Sequence, residues 1–398
     1  MLLALTAVLP AEKRVIVPAN GPKPIGPYSP GIMAGDFLYV SGQGARGPDG
    51  QPPANFEGAA RGALENIKTI VEAAGLTMEH VVYMQVYLAD MANHTAVTGV
   101  LAQYFPRNSP ARSILGVHHM PTDTPVEINA VAFRDLARKK VIAPAGVPER
   151  PGVSPGILAG NRLYISGFLG RDAETGKVPD DPAAQAQLAL DRFRLVLKAA
   201  GMDFANVVFV NPYLTKNMPT EVMNRVYAKH FEFGNTPARA TIEVASLPLG
   251  ANVEFTGVAI GDLSKRRAVR PKNMPPSPTA SPCVWADDTY YCSAKSAFIP
   301  GPHLGIYVPD VETQVRQTMR NLLDGLEEAG LDFSNVVASN VYLDTLDEFT
   351  KMNGIYGQFF ETAPPTRTTV SPLPPVERTR AASGTYPMVE QISIVAVK

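Results

Sequence analysis

Three arginines and three glutamates recur at matching places along the 398 residues, and they are the strongest chemical signal in the sequence. Arg112 and Arg239 follow Pro-Ala, and Arg367 follows Pro-Thr. Further on, Val-Glu pairs end in Glu127, Glu254 and Glu390. A planar guanidinium can hold a carboxylate through two parallel hydrogen bonds. A carboxylate within reach of a water can orient it and take its proton. Glu127 lies in the run Val126-Glu-Ile-Asn-Ala-Val-Ala-Phe133, apolar apart from Glu127 and Asn129. Burial there raises a carboxyl pKa, and a nearby arginine lowers it. The plainer reading is a structural ion pair, repeated because the copies share an origin. Ser41, Ser166 and Ser293 recur too, each closing a predicted strand, where a hydroxyl can place water or simply satisfy a neighbouring backbone group.

These residues keep step with a longer repeat. Ala73-Ala-Gly75 is in register with Ala199-Ala-Gly201 and Glu328-Ala-Gly330, each after an amphipathic helix pattern such as Val315, Met319, Leu322, Leu323 and Leu326. Strand-like runs follow, ending Val86-Tyr-Leu88, Pro212-Tyr-Leu214 and Val341-Tyr-Leu343, so that Tyr87, Tyr213 and Tyr342 are almost evenly spaced. Ser-Pro at 29–30, 154–155 and 281–282 opens hairpins that turn at Ala34-Gly-Asp-Phe37, Ala159-Gly-Asn-Arg162 and Ala286-Asp-Asp-Thr289. Second helices are expected near 94–105, 219–231 and 347–360. A domain-length period of this kind is too long for a solenoid and describes three copies of one domain. Each reads strand–strand–helix–strand–helix–strand–strand: an α+β fold with a mostly antiparallel sheet and two helices on one face. The copies must cover one another's other sheet face, which predicts a pseudo-three-fold ring, a trimer fused into one chain that is a monomer in solution. The expected boundaries are 13–137, 138–264 and 265–398, after an apolar segment 1–12. The basic triplets near 138–140 and 265–267 read as solvated linkers.

Composition narrows the function. Lys and Arg number 36 against 37 Asp and Glu, a net charge of −1, which argues against an electrostatically driven nucleic-acid partner. No apolar run approaches the ~20 residues of a membrane span. Residues 1–11 could be a truncated signal peptide, so the sequence leaves both the cytoplasm and export open. Two cysteines exclude a cysteine zinc site. Counting outward from Asp287-Asp288 sets Cys283 opposite Cys292, a pair that could reach disulfide distance or stay as two reduced thiols. The run Gly42-Gln-Gly-Ala-Arg-Gly47 matches a dinucleotide fingerprint, but Pro48 to Pro53 cannot open the helix it needs. His118 and His119 would point to opposite faces of a strand, and histidines 80, 94, 230 and 303 show no ligand spacing, so no metal site is expected.

Taken together, Ile25-Gly-Pro-Tyr-Ser-Pro-Gly31, Tyr39-Val-Ser-Gly-Gln43, the helix ending Val71-Glu-Ala-Ala-Gly75, Ser109-Pro-Ala-Arg-Ser113 and Val126-Glu-Ile-Asn-Ala-Val-Ala132 resemble the Rid family. These are reactive-intermediate (imine and enamine) deaminases, also called endoribonuclease L-PSP. The resemblance covers nearly the whole chain, once per repeat. It implies a chorismate-mutase-like fold, a trimer, and ligand clefts between neighbouring copies, with no cofactor. It implies that Arg112, Arg239 and Arg367 clamp a small carboxylate substrate and that Glu127, Glu254 and Glu390 orient water. Tyr28 and Ser41 would assist, and Ser166, Ser293, Asn224 and Asn353 would line the binding sites. Repeat one has Thr98 at the asparagine position, Val153 and Ala280 replace the tyrosine, and Ile114, Thr241 and Thr369 replace a common cysteine. Repeat three also has Lys295 where repeat one has Gln43. Its stretch from Arg367 to Glu390 is longer than those from Arg112 to Glu127 and from Arg239 to Glu254.

The expected activity is hydrolysis of 2-imino or 2-enamino acids to 2-keto acids and ammonia. The rivals are a small-carboxylate binding protein without turnover, a diverged enzyme of the same family with another small-molecule reaction, and, least favoured, a ribonuclease.

Overall fold

The computed structural model describes residues 13–46, 51, 53–147, 150–272, 274–299 and 307–398. The apolar segment 1–12, His303 and the end of the Gly42–Gly47 run lie outside them.

The first repeat runs β1 (Arg14–Ile16), β2 (Gly31–Ala34), β3 (Phe37–Gln43), α1 (Phe56–Ala73), β4 (Val81–Leu88), α2 (His94–Tyr104), β5 (Ala111–Gly116) and β6 (Val126–Phe133). The second runs β7 (Lys139–Ile142), β8 (Gly156–Ala159), β9 (Arg162–Leu169), α3 (Pro182–Ala199), β10 (Val207–Leu214), α4 (Thr220–Tyr227), β11 (Ala238–Arg239), β12 (Ile242–Glu243) and β13 (Val253–Ile260). The third runs β14 (Arg266–Val269), β15 (Cys283–Ala286), β16 (Thr289–Lys295), α5 (Val311–Glu327), β17 (Val336–Leu343), α6 (Phe349–Tyr356), β18 (Thr366–Val370) and β19 (Glu390–Val397). The sheet order is β1-β2-β3-β6-β4-β5 and its counterparts. Only the last pairing, β4 with β5, β10 with β11 and β12, or β17 with β18, is parallel.

Local chemistry fixes the long helices. Asn55, Asp181 and Asp310 cap α1, α3 and α5 by accepting from backbone N–H groups of the first turn. Gly75, Gly201 and Gly330 lie just past the helix ends at φ of 80°, 73° and 72°, the left-handed stop that the recurring Ala-Ala-Gly and Glu-Ala-Gly signals encode. Each helix pair packs on one face of its own sheet, burying Leu64, Ile67 and Val71 in repeat one, Leu190, Phe193 and Leu197 in repeat two, and Val315, Met319 and Leu322 in repeat three.

The three opposite sheet faces meet at a shared core. Ile32, Ile157 and Val284 belong to one cluster there, and Tyr87, Tyr213 and Tyr342 to another. This is the pseudo-three-fold ring. The basic triplets are not linkers. Lys139 opens β7 and its Nζ donates to the carbonyls of Glu79, Val81 and Asn108 in repeat one, while Arg266 opens β14 and bonds Val207 and Asn235 of repeat two. Lys13 closes the ring by donating to Ser334 and Val336 of repeat three. Carbonyls at strand starts otherwise lack partners at a sheet edge, and a cation on the neighbouring copy satisfies them. Cys283 and Cys292 pair directly across the hairpin, with Cα atoms 4.0 Å apart, and are joined by a disulfide rather than left as thiols.

Candidate active site

Each arginine stands at the border with the next repeat. The backbone N–H of Arg112 donates to Ser166 Oγ at 2.9 Å, that of Arg239 to Ser293 Oγ at 2.8 Å, and that of Arg367 to Ser41 Oγ at 2.9 Å. Each serine hydroxyl in turn donates to a carbonyl of its own repeat, that of Ser29, Ser154 or Ser281, at 2.6–2.7 Å. Their protons are therefore committed to joining repeats. The second helices supply a polar partner for the guanidinium: Asn224 Oδ1 accepts from Arg239 at 2.7 Å, and Thr98 Oγ1 accepts from Arg112 at 3.2 Å.

The three borders differ. Between repeats three and one, Arg367, Glu127, Tyr28, Gly42, Phe349 and Thr369 line a cavity of about 280 Å³. Arg367 is 4% exposed and sits among the rings of Tyr28, Phe349 and Tyr356, with its Cζ 5.0–5.4 Å from their centroids. Among the described residues its Nη1 has no hydrogen-bond partner, and neither does Asn353 Oδ1 or Thr369 Oγ1. Glu127 is 5% exposed, and burial pushes its carboxyl up to about 8 although the Arg367 charge pulls the other way. The two do not form an ion pair of contact length. Tyr28 accepts a hydrogen bond from the Ile25 N–H, and burial raises its phenol pKa.

Between repeats one and two the pocket shrinks to about 30 Å³. Arg112 is occupied, with Nη1 donating to Gly152 O at 2.8 Å and Nη2 to Thr98. Arg150 enters the same pocket. Glu254 is likewise raised to about 8 by burial, against Ser113, Arg150 and Arg112.

The border between repeats two and three breaks the pattern. Glu127 pairs with Tyr87 and Glu254 with Tyr213, so both carboxylates share the tyrosines' inward face. In repeat three it is Gln391 that pairs with Tyr342, while Glu390 pairs with Leu343. Successive strand residues point to opposite faces, so Glu390 turns toward the helices, where Thr318 of α5 hydrogen-bonds it. The expected equivalence of Glu390 with Glu127 and Glu254 therefore fails. The sequence did carry the signal. Measured to the recurring Val-Ala pairs at 131–132, 258–259 and 395–396, Glu390 stands one position further from its valine than Glu127 and Glu254 do from theirs.

Two glycines that sequence reasoning passed over fit the same register. A Cβ on Gly42 would lie 2.0 Å from Glu127 Oε1, and one on Gly167 would lie 2.2 Å from Glu254 Oε1. The third copy has Ala294 there, and its Glu390 is held by Thr318 of α5 instead. Lys295 follows it, its ammonium pKa lowered by burial although Asp324 opposes this.

The chain matches the endoribonuclease L-PSP family three times, over residues 18–134, 148–261 and 277–374. The third match stops short of β19, where the register slips. A RutC family protein of Pyrococcus horikoshii is 41% identical over 125 residues, which is 31% of this chain and 99% of that protein. The 2-iminobutanoate/2-iminopropanoate deaminase of Rattus norvegicus is 37% identical over 124 residues, 31% of this chain and 90% of that protein. Each relative is about one repeat long, so the chain belongs to the endoribonuclease L-PSP, or Rid, family and carries its domain three times in tandem.

Proposed function

We propose that the chain hydrolyses 2-imino acids to 2-keto acids and ammonia, and that the cleft between repeats three and one does most of this work. The observation that carries the reading is the pairing, across one cavity, of a guanidinium with a free Nη1 and a buried carboxyl whose pKa is about 8. The name of the rat relative supports the substrate class.

Arg367 holds the substrate carboxylate, Tyr28 lines the same cavity, and Asn353 lies with Arg367 against Gly26. At neutral pH Glu127 is largely protonated, so it can give its proton to the imine nitrogen and make C2 electrophilic. The carboxylate then accepts a proton from the water that attacks C2, forming a carbinolamine. Returning that proton to nitrogen lets the C–N bond break, with electrons leaving on ammonia as the hydroxyl becomes the keto oxygen; the protons balance and Glu127 ends as it began once the hydroxyl proton returns to it. Ser41, Ser166 and Ser293 act as positioning residues that hold each arginine's backbone.

The test is ammonia and keto-acid release from imines generated by an amino-acid oxidase, against buffer alone. Arg367→Ala is expected to lose about a hundredfold or more of the acceleration. Arg239→Ala stays near wild type, because its cleft lacks the inward carboxylate. A wild type no faster than buffer would overturn the reading. If small carboxylates then stabilised the protein, the binding-only alternative would take its place.

A further inference from the structure

The pseudo-three-fold axis carries polar groups that the clefts do not use. Tyr39, Tyr164 and Tyr291 hold matching positions on β3, β9 and β16, two residues past each hairpin turn, and all three are buried. They line a chamber of about 100 Å³ together with the amides of Gln85, Asn211 and Asn340. The chamber's lining contains no carboxylate; its one cation is Arg367, and Arg162 stands outside it.

One layer closer to the hairpin turns, the repeats present Phe37, Arg162 and Thr289. Arg162 is 5% exposed, with its Cζ 4.2 Å from the Phe37 ring centroid and 5.9 Å from that of Tyr291. Its Nη2 donates to Thr289 Oγ1 at 2.8 Å and lies 3.3 Å from both Ala286 O and Asp288 Oδ1. Asp288 is half exposed, so solvent screens it. Among the described residues the Arg162 Nε and Nη1 and the hydroxyls of Tyr39, Tyr164 and Tyr291 make no hydrogen bond of full geometry; the phenols have only looser contacts, Tyr164 and Tyr291 with Arg162 and with each other, and Tyr39 with Thr289. The guanidinium charge acts on all three phenols, and burial keeps them protonated, hence able to donate.

We propose that this axis binds a small monovalent inorganic anion of halide size, held by Arg162 and the three tyrosine hydroxyls. Buried donors without an acceptor are costly, and a single anion at their meeting point accepts from several at once. The charge sign follows from the groups present: a guanidinium and neutral donors repel a cation. A dianion would leave excess negative charge beside Asp288 in a poorly solvated interior. Fusion of the repeats makes the site possible, because a symmetric trimer would bring three arginines to the axis or none. None of the four residues lines the cavity over Glu127. Arg367 lines both that cavity and the axial chamber, so Arg162→Met and Tyr39→Phe, which leave Arg367 in place, separate the anion site from the deaminase reading.

Crystals of the full chain soaked in sodium bromide would test it. An anomalous peak is expected on the axis within about 3.5 Å of the Arg162 nitrogens or the phenol oxygens, and it should vanish in Arg162→Met. In solution, bromide or chloride should raise the melting temperature above that in sodium gluconate at equal ionic strength. Tyr39→Phe, which removes one donor and little volume, should raise the half-saturating bromide concentration about tenfold. No peak in wild type, a peak that persists in Arg162→Met, or equal stability in halide and gluconate would each overturn the proposal. If Arg162→Met fails to fold, the wild-type peak and the Tyr39→Phe shift still decide it.

Discussion

Glu127 is a carboxyl held mostly uncharged by its surroundings, and that has a cost in stability as well as a use in chemistry. Its pKa is about 8 in the folded protein against an ordinary 4.5, and Glu254 and Glu390 behave alike. Between those values the folded state binds more protons than the unfolded one. Stability from these groups is complete below about pH 4.5 and is lost as pH rises toward 8, with a limiting slope of about 1.4 kcal/mol per pH unit for each group. Glu127→Gln keeps the shape but cannot ionise. Chemical denaturation from pH 5 to 8 should therefore show a shallower decline in that variant, which should be the more stable protein at pH 8 and have about a hundredfold lower turnover. A slope identical to wild type would mean that Glu127 is not buried as described. Gly42 gives a second residue-scale expectation. Gly42→Ala forces the Glu127 carboxylate from its seat and should lower turnover about as much as Glu127→Gln, whereas Ala294→Gly should leave it unchanged.

At the scale of strands, a single register decides which carboxylate can reach a cleft. The longer stretch between Arg367 and Glu390 warned of a change in repeat three, but not of its nature. Residues toward the strand end, Ile392, Ile394 and Ala396, keep the helix-facing alternation of Ile128, Ala130 and Ala132, so packing sets the register from that end. The longer connection ahead of β19 absorbs the slip, anchored by Arg378 to Asp344 and Glu348. Glu390→Gln should then leave imine turnover within about threefold of wild type, in contrast to Glu127→Gln. A loss matching that of Glu127→Gln would show that Glu390 reaches a working cleft. The repeat count, helix positions and hairpins were legible in the sequence because each rests on local periodicity or turn chemistry, whereas the place of the arginines between repeats came only with the family resemblance. What was not legible depends on contacts between copies: the Lys13, Lys139 and Arg266 staples, the serines as joints, and the occupation of Arg112 by Gly152. Motif matching favoured Val389-Glu390 over the face that packing requires.

For the whole molecule, fusion frees each repeat from having to match its neighbours. Three identical subunits repeat every choice three times around the axis. Here one border keeps an open cavity with an unengaged arginine, one is nearly filled, and one has lost its inward carboxylate. The axis shows the same freedom, with one guanidinium beside a phenylalanine and a threonine in equivalent places. That arrangement accommodates a single cation: Arg162 already uses the acceptors of the neighbouring hairpin, Ala286 O, Asp288 and Thr289. Phe37→Arg would set a second guanidinium against the first with no carboxylate of its own, and would also remove the ring on which Arg162 stacks. Thermal or denaturant unfolding should show a loss of roughly 3 kcal/mol or more, the scale of an uncompensated buried charge. Phe37→Leu, which removes only the ring, should cost about 1 kcal/mol. Near-equal losses in the two variants would mean that the axis tolerates more than one cation, and that the asymmetry of the fused ring is not enforced by charge.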